Sequence, residues 1–161
     1  MIGFLARLFA RGEPTLSEAR PRDASAMATL HNASFRRGWS DGEFESMLGD
    51  HAVVAHRAMR GNNLAGFIIS RMAAGEAEIL SVAVAAAARG RGLAGRMLHL
   101  HLRRLAGLGV RAVFLEVGED NEPAIRLYAS AGFEEVARRE GYYRDTGGRG
   151  ATALVLRCDF T

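Results

Sequence analysis

The chain has 161 residues, enough for one domain with one core, and its 48% hydrophobic and 24% charged residues match an ordinary soluble fold. A single cysteine, Cys158, excludes an internal disulfide and fits a reducing, cytoplasmic compartment, and no apolar stretch reaches the roughly 20 residues that cross a bilayer. All 21 basic residues are arginine; the net charge of +3 favours an anionic small partner, but the excess is small and scattered, which argues against direct nucleic-acid binding.

Residues 1–13 read as an N-terminal arm or short amphipathic helix, ahead of a single domain over 14–161. The arginines there lie within and after the apolar residues, unlike a signal peptide, and the apolar face is short for a membrane-surface anchor, the alternative reading. A first strand is expected over 15–20. Asp23 is placed to N-cap a helix over 24–35, and Ser40 or Asp41 to cap a second one ending at Leu48. Strands over 52–59 and 64–72 form a hairpin around Arg60-Gly61-Asn62-Asn63, and Ala73-Ala74-Gly75 turns the chain into a strand over 76–84. A glycine-rich run, Arg89-Gly90-Arg91-Gly92-Leu93-Ala94-Gly95, then opens a helix to about residue 106. Its inward face carries Leu93, Met97, Leu98, Leu102 and Leu105, with His101 as a hydrogen-bonded, half-buried histidine. Residues 112–117 make a nearly all-apolar strand of the kind found inside parallel sheets. Asn121 caps the next helix, with Pro123 in its first turn and Gly132 at its end. Strands over 133–137 and 151–158 close the chain, joined by a loop through Gly147-Gly148-Arg149-Gly150. The pattern is mixed α/β in one unit.

Strand, glycine-rich turn and helix is an arrangement that aims free backbone N–H groups at a phosphate. Gly90, Gly92 and Gly95 remove the Cβ atoms that would hold a phosphate away, and the helix start adds roughly half a positive charge. Arg89, Arg91 or Arg96 could pair with phosphate oxygens. The run lacks the Gly-Lys-Ser/Thr ending of a triphosphate loop and the glycine spacing of a dinucleotide fold. Further on, Glu116 interrupts an apolar strand, where a buried carboxylate is unfavourable, so it belongs at an open strand end, either facing a cleft with a basicity useful for a general base or simply solvated. Tyr128, on the following helix, is either a core aromatic or a general acid. Cys158 has no neighbouring base in the sequence pattern, and no histidine shows metal-ligand spacing, so neither a covalent intermediate nor a metal is expected.

Together these residues resemble the GNAT superfamily of acetyl-CoA-dependent N-acetyltransferases. A strand ending Val82-Ala83-Val84 precedes Arg89-x-x-Gly92-x-Ala94, which matches that family's Gln/Arg-x-x-Gly-x-Gly/Ala signature. Leu115-Glu116-Val117, Asn121, Ala124-Ile125-x-Leu127-Tyr128, Gly132-Phe133, Gly141-Tyr142-Tyr143 and Phe35-x-x-x-Trp39-Ser40 resemble, more narrowly, bacterial ribosomal-protein-alanine N-acetyltransferases. The resemblance implies a mixed, mostly antiparallel twisted sheet, flanked by helices, whose central parallel strands, the fourth and fifth, splay to admit acetyl-CoA. It implies that Val82, Ala83 and Val84 lie along the pantetheine arm, that residues 89–95 hold the pyrophosphate, and that Asn121 touches the arm. Glu116 becomes the base, Tyr128 the acid, and Trp39, Tyr142 and Tyr143 the acceptor groove. The implied acceptor is the N-terminal alanine of a ribosomal protein; a lysine side chain or a small amine remains open, as does a non-catalytic acyl-CoA-binding module. A monomer or weak dimer is implied, with no nucleic-acid or membrane partner. The chain departs from the pattern at Ala85-Ala86-Ala87-Ala88, where a more polar loop is usual, and at Gly150-Ala151-Thr152, where relatives often carry acidic residues.

Overall fold

The computed structural model describes residues 12–144 and 150–161, with the backbone alone at residues 142–144. Along the chain run β1 (Thr15–Glu18), α1 (Ala24–Ser34), α2 (Asp41–Leu48), β2 (Val53–Arg60), β3 (Asn63–Ala73), β4 (Glu76–Val84), α3 (Leu93–Gly107), β5 (Ala112–Gly118), α4 (Glu122–Ser130), β6 (Glu134–Arg144) and β7 (Gly150–Asp159). The strands form one sheet in the order β1-β2-β3-β4-β5-β7-β6. All neighbours are antiparallel except β4 and β5, which α3 connects. This is the expected mixed, mostly antiparallel fold. Among the described residues, no helix is long and apolar enough to cross a membrane.

The two parallel strands touch only at their starts. Glu76 pairs with Ala112, Ala77 with Val113 and Glu78 with Phe114, and no pairing follows. β4 stays laddered to β3 as far as Val84 opposite Gly66, and β5 to β7 as far as Gly118 opposite Ala153. Each strand is therefore held on its outer edge while the inner edges diverge with the twist of the sheet. The splay expected between the fourth and fifth strands is present.

Both faces of the sheet are covered at this centre. On one, Met97, Leu98 and Leu105 of α3 and Tyr128 of α4 pack over Ile68, Val113, Leu115 and Leu156. On the other, Met27 and Ala28 of α1 and Phe44 of α2 pack over Ala55, Phe67, Ile69 and Ala83. The run Phe67-Ile68-Ile69 is wholly buried because successive side chains serve opposite faces. Gly66 lets α3 come close: a Cβ there would lie 2.9 Å from the Ala83 carbonyl and 2.9 Å from Met97 Cε. Ser40 caps α2 in a capping box with Glu43, as the sequence suggests.

Two expectations are corrected. Asp23 does not cap α1. Residues Pro21–Asp23 form a 3₁₀ turn that runs directly into the helix, and the Asp23 side chain turns back to accept from the Arg20 backbone N–H at 2.8 Å and to pair with Arg57. β6 runs to Arg144 rather than ending at residue 137. Among the described residues it is the sheet's last strand, bonded only to β7, with register breaks at Glu135/Ala137 and Arg139/Tyr143. Its exposed polar side chains need no alternation, so no strand period marks it.

His101 is fully buried, deeper than the sequence suggests, and sits in a polar chain across the core. Its Nε2 lies 2.6 Å from Ser70 Oγ and its Nδ1 2.8 Å from His56 Nδ1. Burial, and secondarily the neighbouring His56, push the His101 pKa down to about 3; burial also lowers that of His56. The native state holds His101 neutral while the unfolded chain gains its proton near pH 6.5. Stability is thus complete above that pH and is lost as pH falls through the interval down to about 3. Urea unfolding between pH 6.5 and 5 should show stability falling with a slope that steepens toward about 1.4 kcal/mol per pH unit for each histidine that protonates only on unfolding. A flat profile over that interval would contradict the assignment.

Candidate active site

The loop before α3 is built for close approach. Gly90 and Gly92 both adopt left-handed backbone, with φ of 77° and 76°, and among the described residues a Cβ on either would meet nothing within 4 Å beyond its chain neighbours. The first helical bond of α3 runs from the Arg96 N–H to the Gly92 carbonyl. The N–H groups of Leu93, Ala94 and Gly95 are therefore left for a ligand or water. They border a cavity of about 490 Å³ whose walls include Val82, Val84, Arg89, Pro123 and Leu127. Apolar walls below a rim of free amides suit a flexible arm that ends in a phosphate group.

Not every residue of the sequence-derived set faces this cavity. The Ala83 side chain is buried with Phe67 and α1 on the opposite face, because neighbours along a strand alternate, so only its backbone is near. The Leu93 side chain belongs to the core, and its contribution is its N–H. Arg91 turns away, lining a small separate cavity with Glu13, Arg60 and Arg96, where Arg96 donates to Glu13 at 2.7 Å. Arg89 does line the main cavity, while its Nε donates to the Val84 carbonyl at 3.0 Å and staples the loop to the strand end.

A second cavity, of about 480 Å³, lies on the α1 side of the gap and is lined by Trp39, Ser81, Glu116, Asn121 and the loop residues Arg36 and Arg37. Val82, Ala124 and Tyr128 line both cavities. The two spaces thus meet where β4 and β5 separate. Trp39 is held as a wall by stacking on His31, with ring centroids 4.4 Å apart, and Phe44 stands edge-on to His31 beneath it. Tyr142 and Tyr143, expected here, have side chains outside the described residues, as do residues 1–11 of the expected arm and residues 147–149 of the expected loop.

Tyr128 is fixed by the end of its own helix. The Phe133 N–H donates to the Tyr128 carbonyl and the Gly132 N–H to that of Ala129, a Schellman closure that Gly132 permits with φ of 95°. Phe133 then packs edge-on against the Tyr128 ring at 5.6 Å. Burial pushes the phenol up to about 12, so it carries its proton throughout the neutral range. At the other end of α4, Asn121 Oδ1 accepts from the Ala124 N–H at 3.3 Å, which leaves the Asn121 amide NH₂ for the cavity. On β5, Leu115 and Val117 enter the core and Glu116 points to the opposite face. Its surroundings are not apolar: Arg139 Nη1 of β6 lies 3.0 Å from Glu116 Oε1. Arg139, Arg36 and Arg37 escape the sequence reading, because only pairing register and loop path bring them here. Among the described residues, no His, Cys, Asp and Glu side chains group in a way that could hold a metal ion.

The comparisons with known proteins fit this geometry. A model of the acetyltransferase (GNAT) family matches residues 24–133. The [ribosomal protein bS18]-alanine N-acetyltransferase of Escherichia coli K12 is 30% identical over 135 residues, spanning 84% of this chain and 90% of its own length. The N-alpha-acetyltransferase RimI of Mycobacterium tuberculosis is 41% identical over 106 residues, 63% of each chain. The crystal structure of the ribosomal-protein-S18-alanine N-acetyltransferase from E. coli superposes with a TM-score of 0.85 at 27% identity, covering 92% of this chain and 94% of its own. Arabidopsis thaliana NAA60 in complex with acetyl-CoA shares the fold, with a TM-score of 0.81 at 21% identity over 91% of this chain and 98% of its own.

Gly92→Ala should lower stability by about 1 kcal/mol through left-handed strain alone, as read by urea unfolding. Gly92→Asp should in addition weaken coenzyme A binding, measured by calorimetric titration, because its carboxylate would stand before the free amides. Equal affinity in the two variants would count against phosphate binding at this loop.

Proposed function

The chain belongs to the acetyltransferase (GNAT) family and is an acetyl-CoA-dependent N-acetyltransferase, and from that premise we propose that its acceptor is a protein N-terminus, namely the N-terminal alanine of a ribosomal protein. The observation that carries this reading is the meeting of the two cavities at Val82, Ala124 and Tyr128. One cavity offers an apolar channel capped by main-chain amides for the acyl donor. The other is wide enough for the end of a peptide and carries a carboxylate. The similarity to the bS18-alanine enzyme over most of both chains supports the choice of acceptor.

The residues divide the chemistry between them. An α-ammonium titrates near 7.7–8.0, so a carboxylate acting directly or through water is base enough to free it. Glu116 takes that proton, and the neutral amine attacks the thioester carbonyl carbon. The new C–N bond forms, the C–S bond breaks, and negative charge gathers on sulfur. Tyr128 meets that charge as a donor. Its pKa of about 12 exceeds that of an ordinary thiol, about 8.5. Complete transfer to a finished thiolate would therefore run uphill. Tyr128 donates its hydrogen bond while the charge develops. The nitrogen loses two protons in all: the first goes to Glu116 before attack, and the second leaves as the amide forms and balances the proton finally left on sulfur. The Schellman closure supports this role by holding the ring without mobile side chains.

Tyr128→Phe should reduce turnover roughly 10²-fold with acetyl-CoA affinity nearly unchanged, as measured by thiol release and calorimetry. Undiminished turnover would remove Tyr128 from the mechanism. In the intact enzyme, turnover should show no descending limb between pH 8 and 10. An alanine-initiated peptide should be acetylated and the same peptide blocked at its terminus should not. Equal modification of both would move the acceptor to a lysine side chain.

A further inference from the structure

Building on the reading that Glu116 receives the acceptor's ammonium proton, we propose that Arg139 is a positioning residue that occupies the Glu116 carboxylate until the acceptor's ammonium replaces it. The guanidinium stands 3.0 Å from Glu116 Oε1 and lines the cavity beyond Glu116 rather than the acceptor cavity, so it and an incoming ammonium would compete for one carboxylate from opposite sides. Strand register brings it there: Arg139 pairs with Ala153, and Ala153 with Gly118, two residues from Glu116 on the same face of the sheet. Arg139 thus reaches across β7 to a strand with which its own strand is not paired.

The displaced guanidinium has somewhere to go. Arg139 also lines a third cavity, of about 370 Å³, with Glu76, Glu78, Arg71 and Phe114. Leu115 and Glu116 belong to both this cavity and the acceptor cavity, so Glu116 forms the wall between them. On leaving Glu116 the guanidinium stays among the carboxylates of Glu76 and Glu78. Its strand permits the move, being an outer strand with a register break that begins at Arg139. The Arg139 side chain is 55% exposed and that of Glu116 22%, so the pair is worth only a few-fold in binding. It is a filter that an ammonium can displace, and a blocked, neutral N-terminus cannot.

Steady-state kinetics with an alanine-initiated peptide at saturating acetyl-CoA test this. Arg139→Ala and Arg139→Gln should each lower the acceptor KM about threefold, with the acetyl-CoA KM unchanged, and Arg139→Lys should restore the wild-type value. In a Glu116→Gln background, peptide affinity for the coenzyme A-loaded enzyme, read by calorimetry, should no longer respond to Arg139→Ala. An unchanged or raised acceptor KM in both neutral variants overturns the proposal, as does an equal response in the Glu116→Gln background. If wild-type enzyme acetylates the peptide but its Arg139 variants keep the same acceptor KM, only the role of Arg139 falls. If the wild type acetylates no α-amine, the underlying reading falls and takes the proposal with it.

Discussion

Three residue pairs join β4 to β5, and the molecule depends on their being no more than three. A fully paired parallel centre would bury the inner edges of both strands and leave no passage from one face of the sheet to the other. The divergence is stable because neither strand lacks a partner elsewhere: β3 holds β4 to its end, and β7 holds β5. The unpaired edge groups of the gap remain for a ligand, a use that would be costly if they were sealed in the core. The cavities on the two faces are one site because of this opening, and Tyr128 lies at the junction.

The site combines rigid and yielding parts. Tyr128 is fixed by a helix end closed on Gly132 and packed on Phe133. The amides before α3 are fixed by two left-handed glycines and by Arg89 bonded to Val84. Glu116 is held on a strand whose neighbours are core residues, yet its partner Arg139 comes from an exposed outer strand. In the mechanism proposed, groups that meet the acyl donor are set in advance, while the group that meets the acceptor is paired with a charge proposed to exchange. A donor common to every turnover and an acceptor that must be discriminated call for that division.

Much of this was legible in the chain. β4 was bracketed to the residue by the turn Ala73-Ala74-Gly75 and by the polar glycine run that follows, and α4 by Asn121 and Gly132, whose chemistry marks helix ends. Glu116 stood out because a lone carboxylate in an apolar strand has to find an opening. The direction of side chains beside the loop was less legible. Ala83 ends the strand before the signature and Arg91 lies within it, yet strand alternation and the loop path turn them elsewhere. β6 carried no period because an exposed edge needs none, and with it the Arg139–Glu116 pair was hidden. That contact depends on the register of three strands, which no local pattern encodes. Asp23 misled for a related reason: a good cap residue is not a cap where a 3₁₀ turn already supplies the helix start.

The most direct test of the account is a crystal structure with coenzyme A. The diphosphate should lie on the amides of residues 93–95, the pantetheine arm between β4 and α4, and the sulfur within hydrogen-bond reach of the Tyr128 hydroxyl in the strand gap. A coenzyme bound elsewhere, or β4 and β5 zipped together beyond Glu78 and Phe114, would contradict it.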